Sequence, residues 1–261
     1  MTRETSNRMR IVSLAPSVTS ILLELGAGRE LAGVSRWCKD VADVGSRPTV
    51  GDCWKLDIRE VMKLRPTLLI GSVPFAAEAV AKILELPVAF LAINPRSLAD
   101  IENDVRALGR LVGRGRSAER LIRRMRRTFD GVARRTRRFG RHLRPRIYCE
   151  AWPNPRISSP PWVAELVEIA GGGMVVQAGA RVSDQEVARA KPDIILLAWA
   201  AAGDRAKAET ALRNPAWQRV PAVKNRRVIV IRDELLNTPG PPLMRGAAEL
   251  SRVIREWHGN H

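Results

Sequence analysis

Asp52 and Asp57 flank Trp54 in the stretch GDCWKLDIREVMKLRPTLLIG, Gly51 to Gly71. Two nearby carboxylates could do general acid–base work, but that chemistry also needs a nucleophile or base in register, and none is patterned around them. Cys38, Cys53 and Cys149 lie far apart, without C-x-x-C spacing or a neighbouring His. A zinc site and a disulfide framework are both disfavoured. His142 falls in a basic connecting stretch, and His258 and His261 fall at the C-terminal tail. Tyr148 is the only tyrosine and reads as mid-strand, a poor position for an axial ligand to haem iron. There is no Walker loop, no G-x-G-x-x-G after a strand, no G-x-S-x-G and no HExxH. Gly171–Gly173 follows a helical pattern and reads as a helix stop. What remains is aromatic surface. Of seven tryptophans, Trp162, Trp217 and Trp257 sit in helical patterns. Trp37, Trp54, Trp152 and Trp199 do not.

The elements that must position these four follow from periodicity. Ile58, Val61, Met62 and Leu64 recur at helical spacing, Arg65-Pro66 stops the helix, and Thr67 to Ile70 is a short apolar run. The pattern returns. Glu60-Val61, Pro66 and Leu68-Leu69-Ile70 match Glu186-Val187, Pro192 and Ile194-Ile195-Leu196 at the same spacing. RIVSLAPSVTSILLELGAG from Arg10 is echoed by RIYCEAWP from Arg146 and WVAELVEIAGGG from Trp162. The expected fold is therefore α/β: two Rossmann-like lobes with mainly parallel sheets, residues 9–96 and 145–261, joined by a long helical connector over 97–144. Strands are expected at 10–14, 31–35, 67–71 and 88–91, then at 146–150, 174–176, 193–198 and 228–231. In the connector, Ile101, Val105, Leu108, Leu111 and Val112 form one helical stripe and Leu121, Ile122, Met125, Phe129 and Val132 another, broken at Gly113–Gly115.

In open parallel sheets ligands bind beyond the carboxyl ends of the strands. The loops so placed hold Ala15, Pro16 and Ser17, then Trp37, then Trp54, in the first lobe. In the second they hold Trp152, Trp199, and Thr238, Pro239 and Gly240. Facing ends would make a cleft, and indole faces there suit a large, flat, partly apolar ligand. The alternative for each Trp is that it caps its own lobe.

The formal net charge is +17, from 44 basic and 27 acidic residues, and much of the excess is arginine between 114 and 146. A solvated helix face and an anionic-surface or nucleic-acid site both explain it. Interleaved aromatics and a reading motif are missing, which weighs against nucleic acid. The start, MTRETSNRMR, is polar, and the apolar run after it is broken by Pro16 and hydroxyl residues, so no export signal is visible. On that reading the location is cytoplasmic, or periplasmic if translation starts upstream.

RIVSLAPSVTSILLELGAG, LAGVSRW, VGDCWKLDIREVMKLRPTLLIG, VSDQEVARAKPDIILL and PAWQRVPAVKNRRVIVI together resemble the vitamin B12-binding periplasmic proteins. These belong to the helical-backbone, class III substrate-binding proteins of ABC transporters, which also carry ferric siderophores and haem. The resemblance runs from Arg10 over nearly the whole chain. It implies a non-catalytic binding protein with a corrinoid as ligand and no catalytic cofactor, an ABC permease as partner, and Trp54 packing on the corrinoid, with Trp37 at a second aromatic position. Trp152 and Trp199 lie in the equivalent second-lobe loops. A ferric siderophore or another flat ligand is the alternative. The resemblance also implies an acidic docking residue near the start of a repeat helix in each lobe. Those positions hold Arg59 and Gln185, with Glu60 and Glu186 one residue further on.

Overall fold

The computed structural model describes residues 9–52, 54–136, 144–202 and 205–259. The first lobe comprises β1 (Ile11–Ser13), α1 (Pro16–Glu24), β2 (Leu31–Ser35), β3 (Thr49–Val50), α2 (Ile58–Lys63), β4 (Leu68–Ser72), α3 (Ala77–Leu84) and β5 (Ala89–Ile93). Its strands pair in the order β3-β2-β1-β4-β5, every pair parallel. Two helices follow, α4 (Leu98–Leu111) and the 22-residue α5 (Gly115–Thr136). The second lobe comprises β6 (Arg146–Pro153), β7 (Arg156–Ser158), α6 (Pro161–Ile169), β8 (Gly173–Met174), α7 (Asp184–Ala190), β9 (Ile194–Leu197), α8 (Ala208–Leu212), α9 (Pro221–Lys224), β10 (Val228–Val230), α10 (Glu234–Asn237) and α11 (Leu243–Gly259). Here β10, β9 and β6 are parallel neighbours, and the other side of β6 takes β8 in parallel at its start and β7 antiparallel at its end. The chain divides into two compact units, residues up to Pro95 with Asp100–Ile122, and Arg96–Ala99 with Arg123 onward, so α5 runs from one unit into the other.

The expected α/β class and parallel sheets are what the chain forms. The internal echo has a physical basis in each lobe. Arg10, just before β1, donates from Nη2 to the carbonyl of Leu64 at 2.7 Å, and Arg146, at the start of β6, donates from Nη2 to that of Ala190 at 2.7 Å. In both places an arginine satisfies carbonyls left open at the end of the helix that feeds the next strand. The residue before each proline, Arg65 and Lys191, takes a left-handed φ of 46° and 45°. The proline bars a further helical turn there.

Parallel strands covered on both faces should be apolar throughout. Ile70 and Leu69 in β4 and Ile195 and Leu196 in β9 are fully buried. β3 and β7 were not expected from the sequence. Two and three residues are too short for alternation to register, and both exist because a longer neighbour offers them a ladder. In α5, Ala118, Leu121, Ile122, Met125, Phe129 and Val132 are buried. In α4, Leu111 departs from its expected stripe and is exposed.

Candidate functional site

In the first sheet the chain reverses direction between β1 and β4, the switch point where an open α/β sheet leaves a crevice. Ala15 caps α1 there, Pro16 occupies its first turn, and Ser17 is buried in it. A closed polar cluster lies beneath. The Thr19 hydroxyl donates to Ser13 at 2.8 Å, Ser13 donates to the Ala15 carbonyl at 3.0 Å, and Cys38 Sγ lies 3.0 Å from Thr19 Oγ1. Burial pushes the Cys38 thiol pKa up, against weaker pull from Ser35 and Thr19.

Asp52 organises the tryptophan loop. Its Oδ2 accepts the Trp37 indole N–H at 2.8 Å and lies 3.2 Å from the Arg36 guanidinium. Its Oδ1 accepts the backbone N–H groups of Trp54 and Lys55 at 3.0 and 2.9 Å. Burial raises the Asp52 pKa, but the two backbone donors, the indole and Arg36 outweigh it, so the carboxyl is held below its ordinary value. The loop is tight enough to need glycine at its base: a Cβ on Gly51 would lie 2.0 Å from the Lys55 carbonyl oxygen. The result is a fixed turn that holds Trp54 64% exposed. Trp37 differs, being half-buried with the Arg36 guanidinium 4.6 Å from its ring centroid. Asp57 caps α2, accepting from Arg59 and Glu60 backbone N–H groups. Both acids that flank Trp54 are thus spent on backbone geometry. Cys53 lies outside the described residues.

The second sheet has its switch point between β6 and β9. Glu150, fully buried near the end of β6, accepts the Trp199 indole N–H at 2.8 Å and the Tyr148 hydroxyl at 2.7 Å, and pairs with Arg156. Arg156 also bonds Asp184 at 2.8 Å and covers the Trp217 ring at 4.4 Å from its centroid. Tyr148 is buried with its hydroxyl committed to Glu150, and burial followed by the Glu150 charge raises its pKa well beyond the ordinary range. Trp199 is 9% exposed and belongs to the lobe's apolar core beside Trp217 and Val223. Trp152 is instead 42% exposed, its indole N–H held by the Asn154 carbonyl at 2.9 Å. Thr238, Pro239 and Gly240 are all buried, in a segment tied to the end of β9 by the Asn237 amide on the Ala198 carbonyl at 2.6 Å.

Of the residues expected to line a site, Trp54 and Trp152 therefore present indoles to solvent. Trp37 is half-covered, Trp199 is core, and Ala15, Ser17 and 238–240 are buried. Glu150, expected beside Trp152 in the strand-end segment, is instead buried as the acceptor of this cluster, and Arg156 was not expected. A Glu in an apolar strand, two residues from a Tyr on the same face, was the available signal. Arg59 and Gln185 are both exposed in the first turns of α2 and α7. The acids beside them are engaged locally, Glu60 by Lys63 at 2.6 Å and Glu186 in a capping box with Ser183. Among the described residues no three His, Cys, Asp or Glu side chains gather as a metal site, and no helix is long and apolar enough to cross a membrane.

The chain thus holds two mainly parallel α/β sheets, linked in sequence by α4 and α5, with exposed tryptophans near strand ends. Residues 11–235 match the periplasmic binding protein family. An uncharacterized ABC transporter substrate-binding lipoprotein of Bacillus subtilis, YvrC, is 24% identical over 94% of this chain and 79% of its own length. Among solved structures, the apo periplasmic heme-binding protein RhuT from Roseiflexus sp. RS-1 superposes with a TM-score of 0.81 at 23% identity, covering 96% of this chain and 99% of that one. The periplasmic vitamin B12-binding protein BtuF of Vibrio cholerae superposes at 0.73 with 20% identity, covering 94% and 96%.

The chain belongs to the periplasmic binding protein family, the substrate-binding class that serves ABC transporters and covers B12, siderophore and haem binders. It is a binding class, not a catalytic one. This corrects the cytoplasmic location expected from the sequence. The family is periplasmic and the curated relative is a lipoprotein, which places proteins of this kind outside the cytoplasm. The expectation rested on the polar opening segment, which does not carry the family signal.

Proposed function

We propose that this chain captures a flat macrocycle at its strand-end loops, a corrinoid of the cobalamin type in the first reading, and hands it to an ABC permease. The observation that carries the reading is the exposure of Trp54 and Trp152. Trp54 stands on a turn fixed by Asp52 after β3, and Trp152 stands near the carboxyl end of β6 with its indole N–H held by the Asn154 carbonyl. An apolar plane held rigidly in water gains by stacking on a ligand and loses little entropy on doing so. We assign the segments 15–17 and 238–240 and the half-covered ring of Trp37 as flanking contacts, with Trp199 as the buried support of its loop.

Haem is the second reading, favoured by the likeness to RhuT. The commitment of the only tyrosine to Glu150 argues against it, because a phenolate ligand to the haem iron is then unavailable. Absorbance and melting titrations of the purified chain with cyanocobalamin, dicyanocobinamide, haemin and a ferric siderophore separate the readings. Cobalamin or cobinamide should shift the melting temperature and haemin should not. Stabilisation by haemin or siderophore alone transfers the assignment to that ligand, and no response to any of the four sinks the flat-ligand reading. At the positions where the resemblance implies docking acids the chain presents the exposed Arg59 and Gln185, so we assign permease contact there without the acidic pair. Arg59→Glu should alter capture by the permease while leaving ligand affinity unchanged.

A further inference from the structure

We propose that α5 docks this protein on an anionic phospholipid surface. The helix carries eight arginines against two acids, Glu119 and Asp130. At 100° per residue, Arg116, Arg120, Arg123, Arg127 and Arg134 fall within about 40° of one line, and the line is about 27 Å long. All five are exposed. The opposite side holds Ala118, Leu121, Ile122, Met125, Phe129 and Val132, all buried. The apolar face is therefore used by the fold, and the arginine face is what the helix offers to a partner. Of the two acids, Glu119 is taken by Arg106 at 2.8 Å, and Asp130, exposed at the edge of the same band, leaves it a net charge of +4, five arginines against one acid.

The partner's chemistry follows from these features. Guanidinium forks match phosphodiester oxygens in pairs, and a rigid row of them fits a plane of phosphates. With no free apolar face the contact is peripheral and electrostatic, without insertion. The line carries no aromatic side chain on which a base could stack, which sets it apart from a single-stranded nucleic-acid groove. A lipid surface is also where this family's function lies, since the curated relative is a lipoprotein and ABC permeases are membrane proteins.

The test is co-sedimentation of the full chain with vesicles of phosphatidylcholine alone, or with about a third phosphatidylglycerol, at low and high salt. Binding should require phosphatidylglycerol and vanish at high salt. A variant with Arg116, Arg120, Arg123, Arg127 and Arg134 all changed to Gln should lose at least about a hundredfold in affinity with its melting temperature unchanged. A control removes five exposed cations elsewhere, Lys82→Gln, Arg189→Gln, Arg213→Gln, Arg219→Gln and Lys224→Gln, and should keep most of the binding. Equal loss in both variants would reduce the effect to bulk charge and overturn the proposal. Binding to phosphatidylcholine alone, or tighter binding to DNA than to the charged vesicles, would overturn it too.

Discussion

The indole N–H of Trp37 is fixed by the carboxylate of Asp52 at 2.8 Å, and the same carboxylate holds the backbone N–H of Trp54 at 3.0 Å. One acid thus links two strand-end loops and sets the angle at which Trp54 leaves the surface. The second lobe repeats the device with Glu150, Trp199 and Arg156. In both lobes a carboxylate, an arginine and an indole close the end of the sheet, and a different tryptophan is left outside.

If the exposed indoles hold the ligand, removing either should cost affinity and not stability. Trp54→Ala and Trp152→Ala should each weaken binding by about 1–3 kcal/mol, as buried aromatic anchors do. Their melting temperatures should stay near wild type because neither ring is in a core. Calorimetric titration against the ligand identified by the screen measures the first, and a melt without ligand measures the second. Trp199→Ala should show the reverse pattern, a large loss of stability.

Asp52 predicts an acid limit. Its carboxyl is held below 3.8, so the folded chain keeps it ionised where the unfolded chain would protonate it. Its contribution is complete above the unfolded value and is lost as pH falls through the folded one, below about pH 4. Asp52→Asn cannot accept as strongly at its two oxygens and should be less stable at neutral pH, with a shallower loss between pH 5 and 3, limits chosen about one unit either side of the ordinary value. Denaturant midpoints across that range give both slopes. Parallel slopes would assign the acid sensitivity to other groups.

Part of this was readable in the chain and part was not. The Pro66 and Pro192 echoes reported two parallel repeats because proline, arginine and buried aliphatics each impose a local constraint that survives in sequence. The four loop tryptophans were also legible as a set. Their different fates were not. Whether Trp54 or Trp199 faces water depends on where Asp52 and Glu150 sit in three dimensions, and those acids lie 2 and 49 residues from the tryptophans they govern. A two-residue strand such as β3 leaves no periodic trace at all. The location went wrong for another reason: a polar opening segment says little about the fold that follows it.

Asp104 in α4 should cost stability at neutral pH. Burial, with Asp100 adding to it, pushes its pKa up to about 6, and its buried Oδ2 has no hydrogen-bond partner among the described residues. For an acid raised in this way the folded state binds the proton more tightly. Stability therefore rises as pH falls from above 6 toward 4, and the penalty is full above the folded pKa. Asp104→Asn should stabilise the chain at pH 8 by on the order of 1 kcal/mol, a figure reduced for the group's partial exposure. The gain should disappear near pH 4, where wild type is also neutral. A gain independent of pH would point to packing instead.

Cys38 and Cys149 are free and buried, and burial pushes the Cys149 thiol up to about 12. Neither is thiolate at neutral pH, and neither is open to a reagent. Iodoacetamide applied to the folded chain at pH 8 should leave both peptides unmodified by mass spectrometry, and denaturant should expose both. Labelling of Cys149 in the native chain would mean that β6 opens without global unfolding.

The sharpest stability prediction concerns Glu150. It is fully buried, and three donors, Tyr148, Trp199 and Arg156, converge on its carboxylate. Glu150→Ala leaves the Arg156 charge with Asp184 as its one ion-pair partner among the described residues, strands an indole and a hydroxyl donor, and opens a cavity in β6. Breaking a buried pair from one side costs roughly 3–5 kcal/mol. Glu150→Gln keeps the shape and an acceptor for the indole but removes the charge, so it should fall between wild type and Ala. A double-mutant cycle with Arg156→Met separates the ion pair from the packing. If Glu150→Ala costs little in the Arg156→Met background, the carboxylate acts mainly through Arg156. If most of the loss remains, its main task is to hold Trp199 and Tyr148 in place. Ligand affinity measured on the same four variants then tells whether that support reaches the exposed ring of Trp152, two residues along the same strand.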